Sequence, residues 1–122
     1  ALEASGQLAA AERFYQTALL RWPGDPLTLF GLASIAVAQE HWPVAELRYR
    51  DLLVMEPEHV AARNNLAYLL MKRGCRRAAL AEIDTALTTV GEDHPFKATL
   101  EETRREILEE EFGPVSSGCP AQ

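Results

Sequence analysis

Cations, aromatics, cysteines and long apolar runs are all scarce in this 122-residue chain. Lys and Arg total 12 against 18 Asp and Glu, leaving a net charge of −6. That balance argues against a nucleic-acid partner, because phosphate binding needs clustered Lys and Arg. It equally disfavours an anionic membrane surface. No apolar run approaches the roughly 18 residues needed to span a bilayer. Aromatics make up only 7% of a sequence that is 48% hydrophobic, a composition that suits a tightly packed, alanine-rich helical protein. Two cysteines, Cys75 and Cys119, form no spacing pattern. One falls at a turn and the other in a Pro/Ser/Gly tail, so both are expected as unpaired thiols. No signal peptide is visible. The register opens at what should be the end of a helix, so the chain reads as a fragment or a processed segment.

What is present is a repeat. Pro23 and Pro57 stand 34 residues apart, and Ala11, Ala45 and Ala79 share that spacing, as do Tyr15, Tyr49 and Ile83. Gly6 and Gly74 are separated by twice the period. Self-similarity of this length marks a solenoid of helix–turn–helix units. Apolar residues at helical spacing place one helix over Leu8 to Arg21, with Leu8, Ala11, Tyr15, Ala18 and Leu19 inward. Pro23-Gly24-Asp25-Pro26 breaks it, and Asp25 and Pro26 are placed to cap and open the next. That helix should run to about Gln39 on Leu29, Leu32, Ala33 and Ala36. Its partner follows Pro43 and buries Ala45, Tyr49, Leu52 and Leu53. A third pair covers about Glu58 to Arg73 (Leu66, Ala67, Leu70) and Arg76 to Val90 (Ala79, Ile83, Ala86, Leu87), turning at Gly74-Cys75. A last helix from about His94 to Phe112, capped by Asp93, carries Phe96, Leu100, Ile107 and Leu108 on its apolar stripe. Its Glu109-Glu110-Glu111 end opposes the helix dipole and should fray.

These residues resemble the tetratricopeptide repeat (TPR). Leu32-Ala33 and Leu66-Ala67 match its first-helix pair. Gly6 and Gly74 match its internal turn, where the middle repeat has Glu40. Ala11, Tyr15, Ala18 and Pro23 match its second helix. The resemblance implies an all-α solenoid of antiparallel helix pairs, about 2.5–3 repeats. Residues 1–25 are an incomplete first repeat, 26–59 the second and 60–93 the third; 94–112 form a capping helix and 113–122 a disordered tail. A narrower resemblance rests on Tyr15-Gln-Thr-Ala-Leu-Leu-Arg-Trp-Pro, Ala62-Arg-Asn-Asn-Leu-Ala and Phe96-Lys-Ala-Thr-Leu-Glu. These are similar to the C-terminal TPR segment of bacterial proteins with an upstream papain-like, C39-type peptidase domain. It implies a periplasmic or envelope setting; without it the compartment defaults to the cytoplasm.

The expected function is non-catalytic binding of a peptide or partner domain on the concave surface. The inner stripe of first helices comprises Leu27, Phe30, Ser34 and Ala38, then Asn64, Asn65, Tyr68, Met71 and Lys72, with Thr99 and Glu102 added by the last helix. Asn amides suit a peptide backbone; Phe30, Tyr68 and Met71 suit apolar side chains, unless Phe30 and Tyr68 pack against neighbouring helices. Of the two-carboxylate clamp by which some TPR domains hold chaperone tails, only Asn65 is matched, so that mode is rejected. No catalytic residue is assigned, because His41, His59 and His94 fall in separate helix-terminal regions away from either cysteine. Neither Glu56, Glu58 and His59 nor Asp93 and His94 has closed metal-ligand spacing, so no metal or cofactor is expected. Two further readings stand beside the first: an accessory domain that orients substrate for a peptidase domain outside this segment, and self-association through Leu8, Ala11 and Tyr15, left partly uncovered by the truncated first repeat.

Overall fold

The computed structural model describes residues 2–113 and 118–120, with side chains from Gly6 onward. Six helices and no strands occur among the described residues: α1 (Leu2–Arg21), α2 (Pro26–Ala38), α3 (Trp42–Met55), α4 (Val60–Lys72), α5 (Arg76–Thr89) and α6 (Lys97–Glu109). They fall into two compact units, residues 1–57 and 58–122.

In the first unit, α2 and α3 form an antiparallel pair and α1 packs on α2. Asp25 caps α2 as its sequence predicts. Its Oδ2 accepts from the Thr28 backbone N–H (2.9 Å) and from the Thr28 hydroxyl (2.7 Å), while Pro26 occupies the first turn. The predicted inward residues of both helices are buried: Leu29, Leu32, Ala33 and Ala36, then Ala45, Tyr49, Leu52 and Leu53. The pair reverses at Glu40, whose φ of 58° is left-handed. The His41 N–H reaches the Ala36 carbonyl and the Glu40 N–H the Val37 carbonyl, the paired bonds of a Schellman end. The second unit repeats this turn with Gly74 at φ 82° and bonds from Cys75 to Leu70 and from Gly74 to Met71. The same backbone shape is therefore built once on glycine and once on glutamate.

Gly6 does not turn. It lies inside α1, which continues through it as one helix. A mid-helix glycine costs about 1 kcal/mol against alanine, less than breaking the hydrogen-bond ladder of α1. No described α1 side chain is fully buried, and Leu8, Ala11 and Tyr15 are half-buried. The close approach of α1 to α2 falls at Gly31. A Cβ built there would stand 2.5–2.7 Å from three carbons of the Tyr15 ring, so glycine is what admits the ring.

In the second unit α4 and α5 pair and α6 packs on both. His59 caps α4, its Nδ1 accepting from the Ala62 N–H at 3.0 Å. Ala62, Leu66, Ala67, Leu69, Leu70, Ala79, Ile83 and Ala86 form the core, closed by Leu100 and Ile107 of α6. Leu87 is only half-buried. Arg63 of α4 donates to Glu82 of α5 at 2.7 Å, and Arg104 of α6 to Asp84 at 2.8 Å.

The capping helix is shorter than expected. It begins at Lys97, because Pro95 disfavours helical backbone at His94; His94 Nδ1 instead accepts from the Phe96 N–H. Asp93 therefore does not cap it. It ends at Glu109, with Glu110 extended, in line with three carboxylates opposing the dipole. Its buried face is Leu100, Thr103 and Ile107, and Leu108 points outward at 45% exposure. Stepping by three and four residues from Leu100 selects 103 and 107; residue 108 lies a further 100° round the helix.

The largest departure concerns the cysteines. Cys75 and Cys119 are not unpaired thiols but a disulfide, with Cα atoms 5.4 Å apart across 44 residues. The chain after α6 folds back toward the α4–α5 turn, an approach that sequence spacing does not encode. The expected disordered tail falls at residues 114–117 and 121–122 outside the described residues. Gly118 is held by the Arg73 guanidinium, which donates to its carbonyl at 3.0 Å.

Candidate functional site

The residues expected to bind a ligand divide between the two units. In the first, Leu27 is 74% exposed and Ala38 is exposed. Phe30 is committed to packing: its ring meets Tyr49 edge-on at 5.8 Å. The hydroxyls of Ser34 and Tyr49 lie 3.5 Å apart. This face thus offers apolar contact at its ends and a partly used centre.

In the second unit Asn64, Tyr68 and Lys72 succeed one another at four-residue intervals along one side of α4, the spacing that stacks side chains on a helix face. Tyr68 is half-uncovered at 37% exposure, and the Lys72 ammonium sits 5.4 Å from its ring centroid. Asn64 is half-buried, yet its Oδ1 is withdrawn from solvent and has no hydrogen-bond partner among the described residues. An acceptor left in that state costs about 1–3 kcal/mol. Periodicity places Asn64 on this face, but only packing isolates its oxygen.

Met71 marks the buried edge of this face, about 20° round the helix from Asn64. It is 5% exposed and joins the α4 core with Leu70. One residue is 100° on a helix, so Met71 and Lys72 straddle the boundary between core and solvent. Asn65 is half-buried beside Asn64, and Thr99 and Glu102 are exposed on α6. Four of the groups considered for chemistry are engaged. His59 and His94 accept backbone N–H bonds, and the disulfide uses both thiols. Among the described residues no cluster of three His, Cys, Asp or Glu could hold a metal ion, and no helix is long and apolar enough to cross a membrane.

No family model and no curated protein matches the chain. Solved structures do. The Yersinia enterocolitica type III secretion translocator chaperone SycD superposes with a TM-score of 0.78 at 17% identity, over 87% of this chain and 75% of that one. SycD in complex with a peptide of the translocator YopD gives 0.77 at 18% identity, over 87% and 83%. The fold is an all-α, TPR-like solenoid. Neither of these structures is a peptidase, and the C39-type link drawn from the three sequence phrases finds no support in them.

Proposed function

We propose that this chain is a non-catalytic binding module whose α4 face holds an extended segment of a partner protein. The observation that carries the reading is the orphan Oδ1 of Asn64, on the same side of α4 as Tyr68 and Lys72. A turn of the Asn64 side chain would bring that oxygen to the surface, where a peptide backbone N–H would supply the missing donor. The Tyr68 ring would receive an apolar side chain, and Lys72 a carboxylate or a carbonyl. From Asn64 to Lys72 the helix rises about 12 Å, which an extended peptide crosses in about four residues. The binding of a YopD peptide by SycD, a protein of the same fold, supports the class of ligand and leaves its identity to this chain's own side chains.

The test is selection of peptides from a random displayed library with the full chain, followed by calorimetry of the selected sequences. Asn64→Ala should weaken binding about tenfold, the equivalent of one hydrogen bond to a desolvated acceptor. Tyr68→Ala should weaken it at least as much. Selected peptides that bind both variants as tightly as the parent chain would remove the α4 face from consideration.

A second reading, self-association through α1, rests on a different observation. Phe14, Leu20 and Trp22 are 69%, 87% and 56% exposed, on or next to a helix none of whose described side chains is buried. Sedimentation across a concentration range decides it, a strict monomer at high concentration being the contrary result.

A further inference from the structure

The last turn of α6 and the segment that follows it are fastened to one turn by contacts distant in sequence. Arg76 donates to the Leu108 carbonyl at 2.6 Å, and its guanidinium lies 5.0 Å from the centre of the Phe112 ring. Arg73 donates to the Gly118 carbonyl, and Cys75 is bonded to Cys119. All four contacts converge on residues 73–76, and the disulfide is the one covalent member.

The two sulfurs sit in unlike places. Cys75 is 2% exposed and is the residue immediately before the first turn of α5. There the unsatisfied backbone N–H groups of the helix favour negative charge. Lys72, Arg73, Arg76 and Arg77 flank it in sequence, but the first three face Tyr68, Gly118 and Leu108, so the helix end and Arg77 are what offset the burial of a leaving thiolate at Cys75. Cys119 lies outside any helix and is partly exposed. In thiol–disulfide exchange the more accessible sulfur is attacked, and the better-stabilised thiolate leaves faster. Both criteria select the same direction of attack.

We propose that the Cys75–Cys119 bond is an exchangeable latch, opened by a dithiol reductant at the Cys119 sulfur, and that opening it frees the C-terminal strap from the α4–α5 turn. An incoming thiolate bonds to Cys119 Sγ, the S–S bond breaks, and its electron pair leaves on Cys75 Sγ. The second thiolate of the reductant then attacks its own sulfur in the mixed disulfide and releases Cys119. Two electrons pass from the dithiol to the protein, whose two cysteines end as thiols after taking up two protons. The reductant ends as an intramolecular disulfide. Cys75 lies at the edge of the core of α4, α5 and α6, but Leu66, Leu70, Ile83, Leu100 and Ile107 are buried among these helices rather than by the strap, so the core persists when the latch opens.

The full chain without denaturant, treated with dithiothreitol, tests this. Both thiols should become alkylatable. Amide exchange at Glu110–Gly113 should accelerate at least tenfold, while Ile83 and Ala86 in α5 and Ile107 in α6 keep their protection. Glutathione, which cannot complete the second step by itself, should be found on Cys119 when the mixed disulfide is trapped and mapped. Cys119→Ser should show the same fast exchange at Glu110–Gly113 with no reductant present. Arg77→Gln should slow exchange several-fold with helical content unchanged. Reduction that requires denaturant, glutathione mapped to Cys75, or loss of protection throughout α5 would each overturn the proposal, the last by making the disulfide a staple of the fold.

Discussion

Replacing Gly31 by alanine poses two effects of opposite sign, and the geometry predicts which one Tyr15 controls. In an isolated helix the change is favourable by about 1 kcal/mol, because glycine gives up more backbone entropy than alanine. Here the new methyl would stand 2.5–2.7 Å from the Tyr15 ring carbons, about 1 Å inside ordinary carbon–carbon contact. Forcing such a fit costs about 1–3 kcal/mol. Tyr15 is half-buried and able to swing partly aside, so the cost should lie in the lower part of that range. Gly31→Ala should therefore be neutral or lower stability by up to about 1 kcal/mol in the parent chain. In a Tyr15→Ala background the clash is gone, and the same change should raise stability by about 1 kcal/mol. Urea denaturation of the four proteins, followed by the helical circular dichroism signal, closes the double-mutant cycle. The expected coupling is about 1–2 kcal/mol. An identical effect of Gly31→Ala in both backgrounds would refute the claim that this glycine exists to admit the tyrosine.

The two turns give a paired test: Glu40→Gly should raise stability by about 1 kcal/mol by removing a side chain from left-handed backbone, and Gly74→Ala should lower it by about 1–2 kcal/mol. Thermal melts of both variants check it, and a Glu40→Gly melting temperature below the parent's would contradict it. The hydrogen bond from Lys97, reinforced by its charge, holds the Glu92 carboxyl below the usual carboxylate range. The stabilisation linked to Glu92 is thus present above the ordinary carboxylate pKa and lost as pH falls through the depressed folded value. A carboxyl-detected NMR titration should show Glu92 protonating at lower pH than the unpaired glutamates, and Lys97→Gln should return it to their range.

The sequence by itself determined the helical class, the 34-residue period and most of the core. Each of those signals is local: prolines and caps punctuate helices, and apolar spacing marks an inward face. Leu29, Leu32, Tyr49, Leu66 and Ile83 could be named as interior because a helix buries the stripe that repeats every three to four residues. Tertiary structure decided what depends on residues far apart in the chain. It closed Cys75 onto Cys119, set Tyr15 against Gly31, and drew the boundary that put Met71 inside and Lys72 outside. It also left Gly6 helical while Gly74 turned, since a glycine permits a reversal without requiring one. The candidate site divides in the same way. Asn64, Tyr68 and Lys72 share a face by helical arithmetic, but the isolation of the Asn64 oxygen comes from the surrounding packing, which no window of local sequence records.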